Sequence, residues 1–216
     1  MPQRPSEPVR TRGHKKKERT RRQLIAAAVD VIADRGEAFS VSDVAARAGV
    51  ANGTFYNYFP DRDALIAAIV PEVVASFAAE SAVAVAEEDP AVRFASITAL
   101  ALTRALVAPD EMQVLLRLDA AQQEMLGGEP VRHLRHDLAA GLATGRFTVG
   151  PSDAVLDVMV GSLLTAARRI VDGGGHGDYP QEVVRQLLRS LGVTDPEAST
   201  IAERAMTAAR EQQIEH

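Results

Sequence analysis

The chain holds 216 residues, 46% of them apolar and only nine aromatic, with no cysteine and a net charge of −5. Without cysteine there is no disulfide scaffold, no thiolate nucleophile and no cysteine-ligated metal. No run of 18 apolar residues occurs and no apolar segment follows the basic N-terminus, so neither a membrane span nor a secretory leader is signalled and a cytoplasmic location is expected.

Leu, Ala, Ile and Val dominate the apolar set, which favours helix over strand. The charge is unevenly spread. Residues 1–22 carry nine Lys or Arg against Glu7 and Glu18, whereas the rest of the chain is strongly acidic. That asymmetry suits a basic arm that meets a polyanion, attached to a body that does not. Residues 1–14 hold three prolines and no apolar periodicity, and are expected to be a disordered basic arm.

From Lys16 to Arg35, Leu24, Ile25, Ala28, Val29 and Ile32 recur at helical spacing, and Gly36 stands where a C-terminal cap glycine belongs. Ser40 and Asp43 then form a capping-box pair, with Phe39 and Val44 as its hydrophobic staple. A short helix is expected over 41–48, ended by Gly49, and a second over 51–58, stopped by Pro60. Two short helices joined by a glycine turn make a helix-turn-helix. Asp61 opens a longer helix with apolar residues at 65, 66, 69, 70, 73, 74 and 77, which Pro71 should kink or break. Beyond it, caps predict helices over 90–107, 110–126, 130–145, 152–171, 180–191 and from 195 onward, with residues 172–179 as a flexible loop. The fold expected is all-α, with nine or ten helices: an N-terminal three-helix domain over 15–61 and a larger helical domain over 62–216.

Four of the nine aromatic residues, Phe55, Tyr56, Tyr58 and Phe59, fall within GVANGTFYNYF, residues 49–59. At about 100° per residue Phe55 and Phe59 share one face, which suits packing on Leu24, Ile32 and Val44. Thr54, Tyr56, Asn57 and Tyr58 lie on the other, and Gly53 lets a backbone come close. That outward face fits a phosphate backbone and groove edges.

Residues 40–66, SVSDVAARAGVANGTFYNYFPDRDALI, closely resemble the helix-turn-helix signature of the TetR family of transcriptional regulators, with VAARAGV, GTFY, YF and LI at matching spacing. The resemblance implies a recognition helix over 51–58, with Asn52, Gly53, Thr54, Tyr56, Asn57 and Tyr58 lining DNA and Tyr56 chiefly on phosphate. It implies a DNA contact for Ser42, a phosphate grip for Arg62, and a DNA role for Lys15, Lys16 and Lys17 ahead of the first helix. Ala51, where the family often has a serine cap, and Phe55, where leucine is usual, depart from the pattern.

For the rest of the chain the resemblance implies a homodimer on a near-palindromic operator, released by an unidentified small-molecule effector. Dimerisation falls to helices 152–171 and 180–191, where Val155, Met159, Leu163, Leu164, Ile170, Val184, Leu187, Leu188 and Leu191 are apolar. Residues interrupting apolar faces nominate Arg104, Met112, Arg117, Met125, Met159 and Arg168 for the effector pocket. His133 and Asp137 stand four apart, but the interleaved Arg132 and Arg135 disfavour a metal, so neither metal nor cofactor is expected. No convergent acid, base and nucleophile support an enzyme. The alternative is a helical sensor or adaptor without DNA binding, which would be expected to have lost several of the arm lysines, Thr54, Tyr56 and Arg62.

Overall fold

A computed structural model describes residues 12–121, 123, 128–175 and 177–214. In chain order these form α1 (Arg12–Arg35), a 3-10 turn (Gly36–Ala38), α2 (Val41–Arg47), α3 (Asn52–Tyr56), α4 (Arg62–Val85) and α5 (Pro90–Val107). Then come α6 (Pro109–Arg117), α7 (Glu129–Ala143), α8 (Asp153–Val171), α9 (Tyr179–Ser190) and α10 (Asp195–Ile214), with residues 119–121 helical as well. No strand occurs among the described residues. The chain is all-α, as its composition led us to expect.

Local chemistry sets most of these boundaries. Ser40 and Asp43 form the full capping box at α2. Asp89 accepts the Ala91 N–H at 2.8 Å with Pro90 in the first turn of α5, and the Ser152 hydroxyl accepts from Val155 at the start of α8. At the end of α7 the N–H groups of Gly145 and Arg146 return to the carbonyls of Leu142 and Gly141, a Schellman closure that needs the positive φ of Gly145 (+70°).

α5 runs through the centre, packed against α4, α6, α7, α8, α9 and α10. By length and composition it could cross a membrane, yet 67% of it is buried inside the protein, which marks it as a core helix. Ala91, Ala95, Ala99 and Ala105 are at most 1% exposed, and α10 answers with buried Ala198, Ala202, Ala205 and Ala209. Small side chains on both faces let the two axes approach closely, because interaxial distance follows the size of the contact residues. A continuous apolar cluster links Leu24 in α1 to Ala209 in α10. Ion pairs tie its rim. Arg146 bonds both Asp89 and Glu197, joining the starts of α5 and α10, and Arg93 meets Asp137 of α7 at 2.8 Å. Burial pushes the Asp89 carboxyl up, but the hydrogen bond and charge of Arg146 together with the backbone N–H groups of Ala91 and Val92 outweigh it and hold it below the usual aspartate range. With Asp137 engaged by Arg93, the pair at 133 and 137 forms no part of a metal-ligating cluster among the described residues.

Three expectations need correction. α1 starts at Arg12, four residues before Lys16, so residues 12–14 belong to a helix; residues 1–11 of the expected arm lie outside the described residues. Of the kink or break expected at Pro71, the break does not occur: α4 is continuous through Pro71, which sits on the exposed side where solvent can reach the carbonyl that loses its partner. The helix expected over 110–126 stops at Arg117, because Leu118 turns extended (φ −97°, ψ 122°) and is fully buried.

Gly141 is a test of how tightly the loop after α7 is docked. A Cβ there would stand 2.0 Å from the ring of Phe147, itself 2% exposed. Gly141→Ala should lower unfolding free energy by about 1–3 kcal/mol, the usual cost of overpacking. Chemical denaturation checks it, and an unchanged midpoint would show the loop free to move aside.

Candidate nucleic-acid interface

α2 and α3 are joined by a turn at Gly49 (φ +66°), where the N–H groups of Gly49 and Val50 reach back to Ala46 and Ala45. α3 has five residues and no side-chain cap, since Ala51 offers only its carbonyl, to Thr54 at 2.8 Å. Its position comes from below. Phe55 is 0% and Phe59 4% exposed, with ring centroids 5.7 Å apart, in the cluster that holds Leu24, Ile32 and Val44. Gln23 of α1 adds a bond to the Ala48 carbonyl at 2.6 Å, a brace that sequence periodicity does not reveal.

Above this anchor, Asn52, Gly53, Tyr56 and Asn57 are exposed, and Thr54 is partly so. Tyr56 is 56% exposed, its ring set edge-on to Phe55 at 5.5 Å. Ser42, exposed on α2, accepts a 3.0 Å bond from the Asn52 amide, so α2 and α3 present one joined polar surface. Nothing lies within 4 Å of a Cβ built on Gly53, which leaves that spot open to a partner's backbone. Lys16 and Lys17 are exposed on α1, whereas the side chain of Lys15 lies outside the described residues.

Two expected contacts are placed differently. Tyr58 is half-buried and packs against the core, so only one of the two tyrosines projects freely. Arg62 folds inward. Its guanidinium lies 4.5 Å over the Phe39 ring and donates to the Glu37 carbonyl at 2.6 Å, while its Nε is buried. That geometry fixes the base of α4 to the turn before α2, so the expected phosphate grip is already engaged within the protein. Arg21 is similarly occupied, pairing with Glu72 at 3.2 Å and covering Phe59.

The residues nominated for an effector pocket differ in burial and in what they bond. Met112 and Met159 are buried in the core at 5% and 4% exposure. Arg104, also buried, bonds Glu111 and Ser76. Arg117 and Arg168 are exposed and bond backbone carbonyls, and Met125 lies outside the described residues. The nominated dimer residues need a further correction. Met159, Ile170, Val184, Leu187, Leu188 and Leu191 are none more than 6% exposed within a single chain, and Leu163 is half-buried. Apolar periodicity identified their burial, but their own subunit already covers them.

The Asp43 carboxyl is held below the usual aspartate value of 3.8 because it accepts from the Ser40 hydroxyl and N–H, with Arg35 adding attraction. A lowered folded-state pKa contributes stability that is present above the unfolded value and lost as pH falls through the folded one. The stability difference between wild type and Asp43→Asn should therefore be present at pH 6 and shrink below pH 3.8. Thermal unfolding at both pH values checks this, and a constant difference would contradict it.

Comparison with known proteins gives this geometry a context. Residues 24–69 match the model for bacterial regulatory proteins of the tetR family, and residues 89–204 match a tetracyclin repressor-like C-terminal domain. An uncharacterized HTH-type transcriptional regulator, YvdT of Bacillus subtilis, is 42% identical over 53 residues, 24% of this chain and 27% of that regulator, so the match spans about a quarter of the relative's length. The structure of RolR in complex with resorcinol is 31% identical with a TM-score of 0.64, over 88% of this chain and 96% of the other. FadR of Bacillus subtilis, bound to stearoyl-CoA, shares the fold at 22% identity and a TM-score of 0.65, over 80% of this chain and 99% of that one. A helix-turn-helix built on a phenylalanine anchor, continuous with a repressor-like helical body along most of the chain, makes this protein a member of the TetR family of transcriptional regulators.

Proposed function

We propose that the protein is a repressor that binds a near-palindromic operator as a homodimer and leaves it when a small organic effector binds. The observation that carries the DNA reading is the joined exposed surface of Ser42, Asn52, Gly53, Tyr56 and Asn57, held rigid by Phe55 and flanked by Lys16 and Lys17. Those side chains present their polar groups outward, and they match what phosphate and groove contacts require. An adaptor without DNA binding would have no use for them.

Two copies are needed because one five-residue helix reads only a half-site, and successive major grooves lie about 34 Å apart. With Val184, Leu187 and Leu188 of α9 buried, the outer face of α8 is the face we assign to self-association. Ala154, Val158, Gly161, Ser162 and Thr165 are exposed there, Val158 at 56%. Their small size would let two copies of α8 lie close across a two-fold axis. RolR, the relative at 31% identity, holds resorcinol, which supports a small neutral organic effector here. Resorcinol-driven loss of a bound duplex is the direct check of that class, and retention at saturation would exclude resorcinol itself.

Tyr56→Phe keeps the ring and deletes the hydroxyl. It should leave the unfolding midpoint intact and weaken DNA binding by about 1 kcal/mol. Lys16→Gln with Lys17→Gln should flatten the salt dependence by roughly one unit for each phosphate that the lysines neutralise. Binding isotherms at several salt concentrations check both, and unchanged affinity and slope would remove the DNA reading. Val158→Arg should convert the dimer to a folded monomer in sedimentation, whereas an unaffected dimer would place the interface elsewhere.

A further inference from the structure

Residues 116–119, at the end of α6, are held from two sides. On one side Arg168 of α8 donates to the Leu116 carbonyl at 2.9 Å. On the other, the Asp119 N–H donates to the Glu37 carboxylate at 3.1 Å, on the 3-10 turn that leads into the helix-turn-helix. Arg117 adds to that second side. It reaches the Asp34 carbonyl at 3.5 Å, and its Cδ lies 3.5 Å from where a Cβ of Gly36 would stand.

The helix break at Leu118 makes this possible. In an unbroken α6 the Asp119 N–H would bond Leu115, and the Leu116 carbonyl would accept from Ala120. Extended geometry at Leu118 turns one of these groups toward Glu37 and the other toward Arg168, while the buried Leu118 side chain pins the segment between them. Glu37 is tied onward as well, since its carbonyl accepts from Arg62, which stacks on Phe39, the residue just before the α2 cap. A groove of about 520 Å³ lies beside the joint, lined by Glu37, Arg62, Pro71 and Asp119.

We propose that Arg168 and Glu37 are positioning residues: through residues 116–119 they couple the placement of α8 to the orientation of the helix-turn-helix unit. The path runs through α6 to the 3-10 turn, where Arg62 of α4 also docks on the Glu37 carbonyl. A displacement of α8 draws on the Leu116 carbonyl, and the Asp119–Glu37 bond passes it to the turn that sets how α2 and α3 leave α1. The coupling itself does not require DNA, whereas its consequence for operator affinity rests on the regulator reading above.

The test is amide hydrogen exchange on the full chain, with Arg168→Met, which keeps the aliphatic stem and deletes the donor, with Glu37→Ala, and with both. Both side chains are exposed, and unfolding midpoints confirm that the variants fold. Arg168→Met should raise exchange severalfold in residues 34–40, which its side chain does not touch, and Glu37→Ala should do so in residues 116–121. The double variant should match the larger single effect, because either change opens the same chain of bonds. Changes confined to α8 and the end of α6, or strictly additive effects, would overturn the coupling. Arg168→Lys, which restores a donor, should recover part of the protection; no recovery would point to packing instead and overturn the role of the bond. The same cycle on DNA affinity separates the two readings. Spread exchange in a protein that binds no duplex supports the joint and removes the regulator reading.

Discussion

A helix of five residues has no stability of its own; nucleation alone costs more than its few hydrogen bonds return. α3 exists because Phe55 and Phe59 are drawn into a core built by α1, α2 and α4, and everything it presents outward depends on that burial. The division of labour is sharp along the helix. The residue with 0% exposure stands next to one with 56%, so a single turn both anchors and presents. Removing the Phe55 ring would cost about 3–5 kcal/mol by the usual scale for buried aromatics, enough to release the whole outward face.

The body repeats the same logic on a larger scale. α5 and α10 are packed through alanines, which specify distance more than they supply apolar area, and Arg146 ties their starts through Asp89 and Glu197. The two units are not independent. Their apolar clusters merge, and the 3-10 turn at Gly36–Ala38 is where polar contacts from α4 and α6 converge. A regulator needs a joint of this kind: an apolar seam firm enough to hold the reading helix in register, with a few directional polar bonds at the turn.

Features set by near neighbours were legible in the sequence. Ser40, Asp89, Ser152 and Asp195 marked helix starts within a residue or two, because a cap acts on the next three residues. The helical wheel separated Phe55 from Tyr56 for the same reason. What sequence could not show depends on distant partners. The break at Leu118 carries no glycine or proline, and one bond that replaces the helical ladder comes from Glu37, 82 positions earlier. Arg62 matched a motif position, yet Phe39 and the Glu37 carbonyl claim its guanidinium. Periodicity marked Val184, Leu187 and Leu188 as buried, but an apolar face does not say whether its own chain or a second copy covers it.

The central claim is that α3, carried by a symmetric pair of chains, reads DNA. Selection of bound duplexes from a random pool with the full chain tests it most directly. The account predicts enrichment of an inverted repeat, its half-sites spaced by about one helical turn or a multiple of it, and loss of that enrichment when Tyr56, Asn52 and Asn57 are all replaced by alanine in a chain that still folds. A pool that shows no enriched repeat, or one that the triple replacement leaves unchanged, would contradict the account.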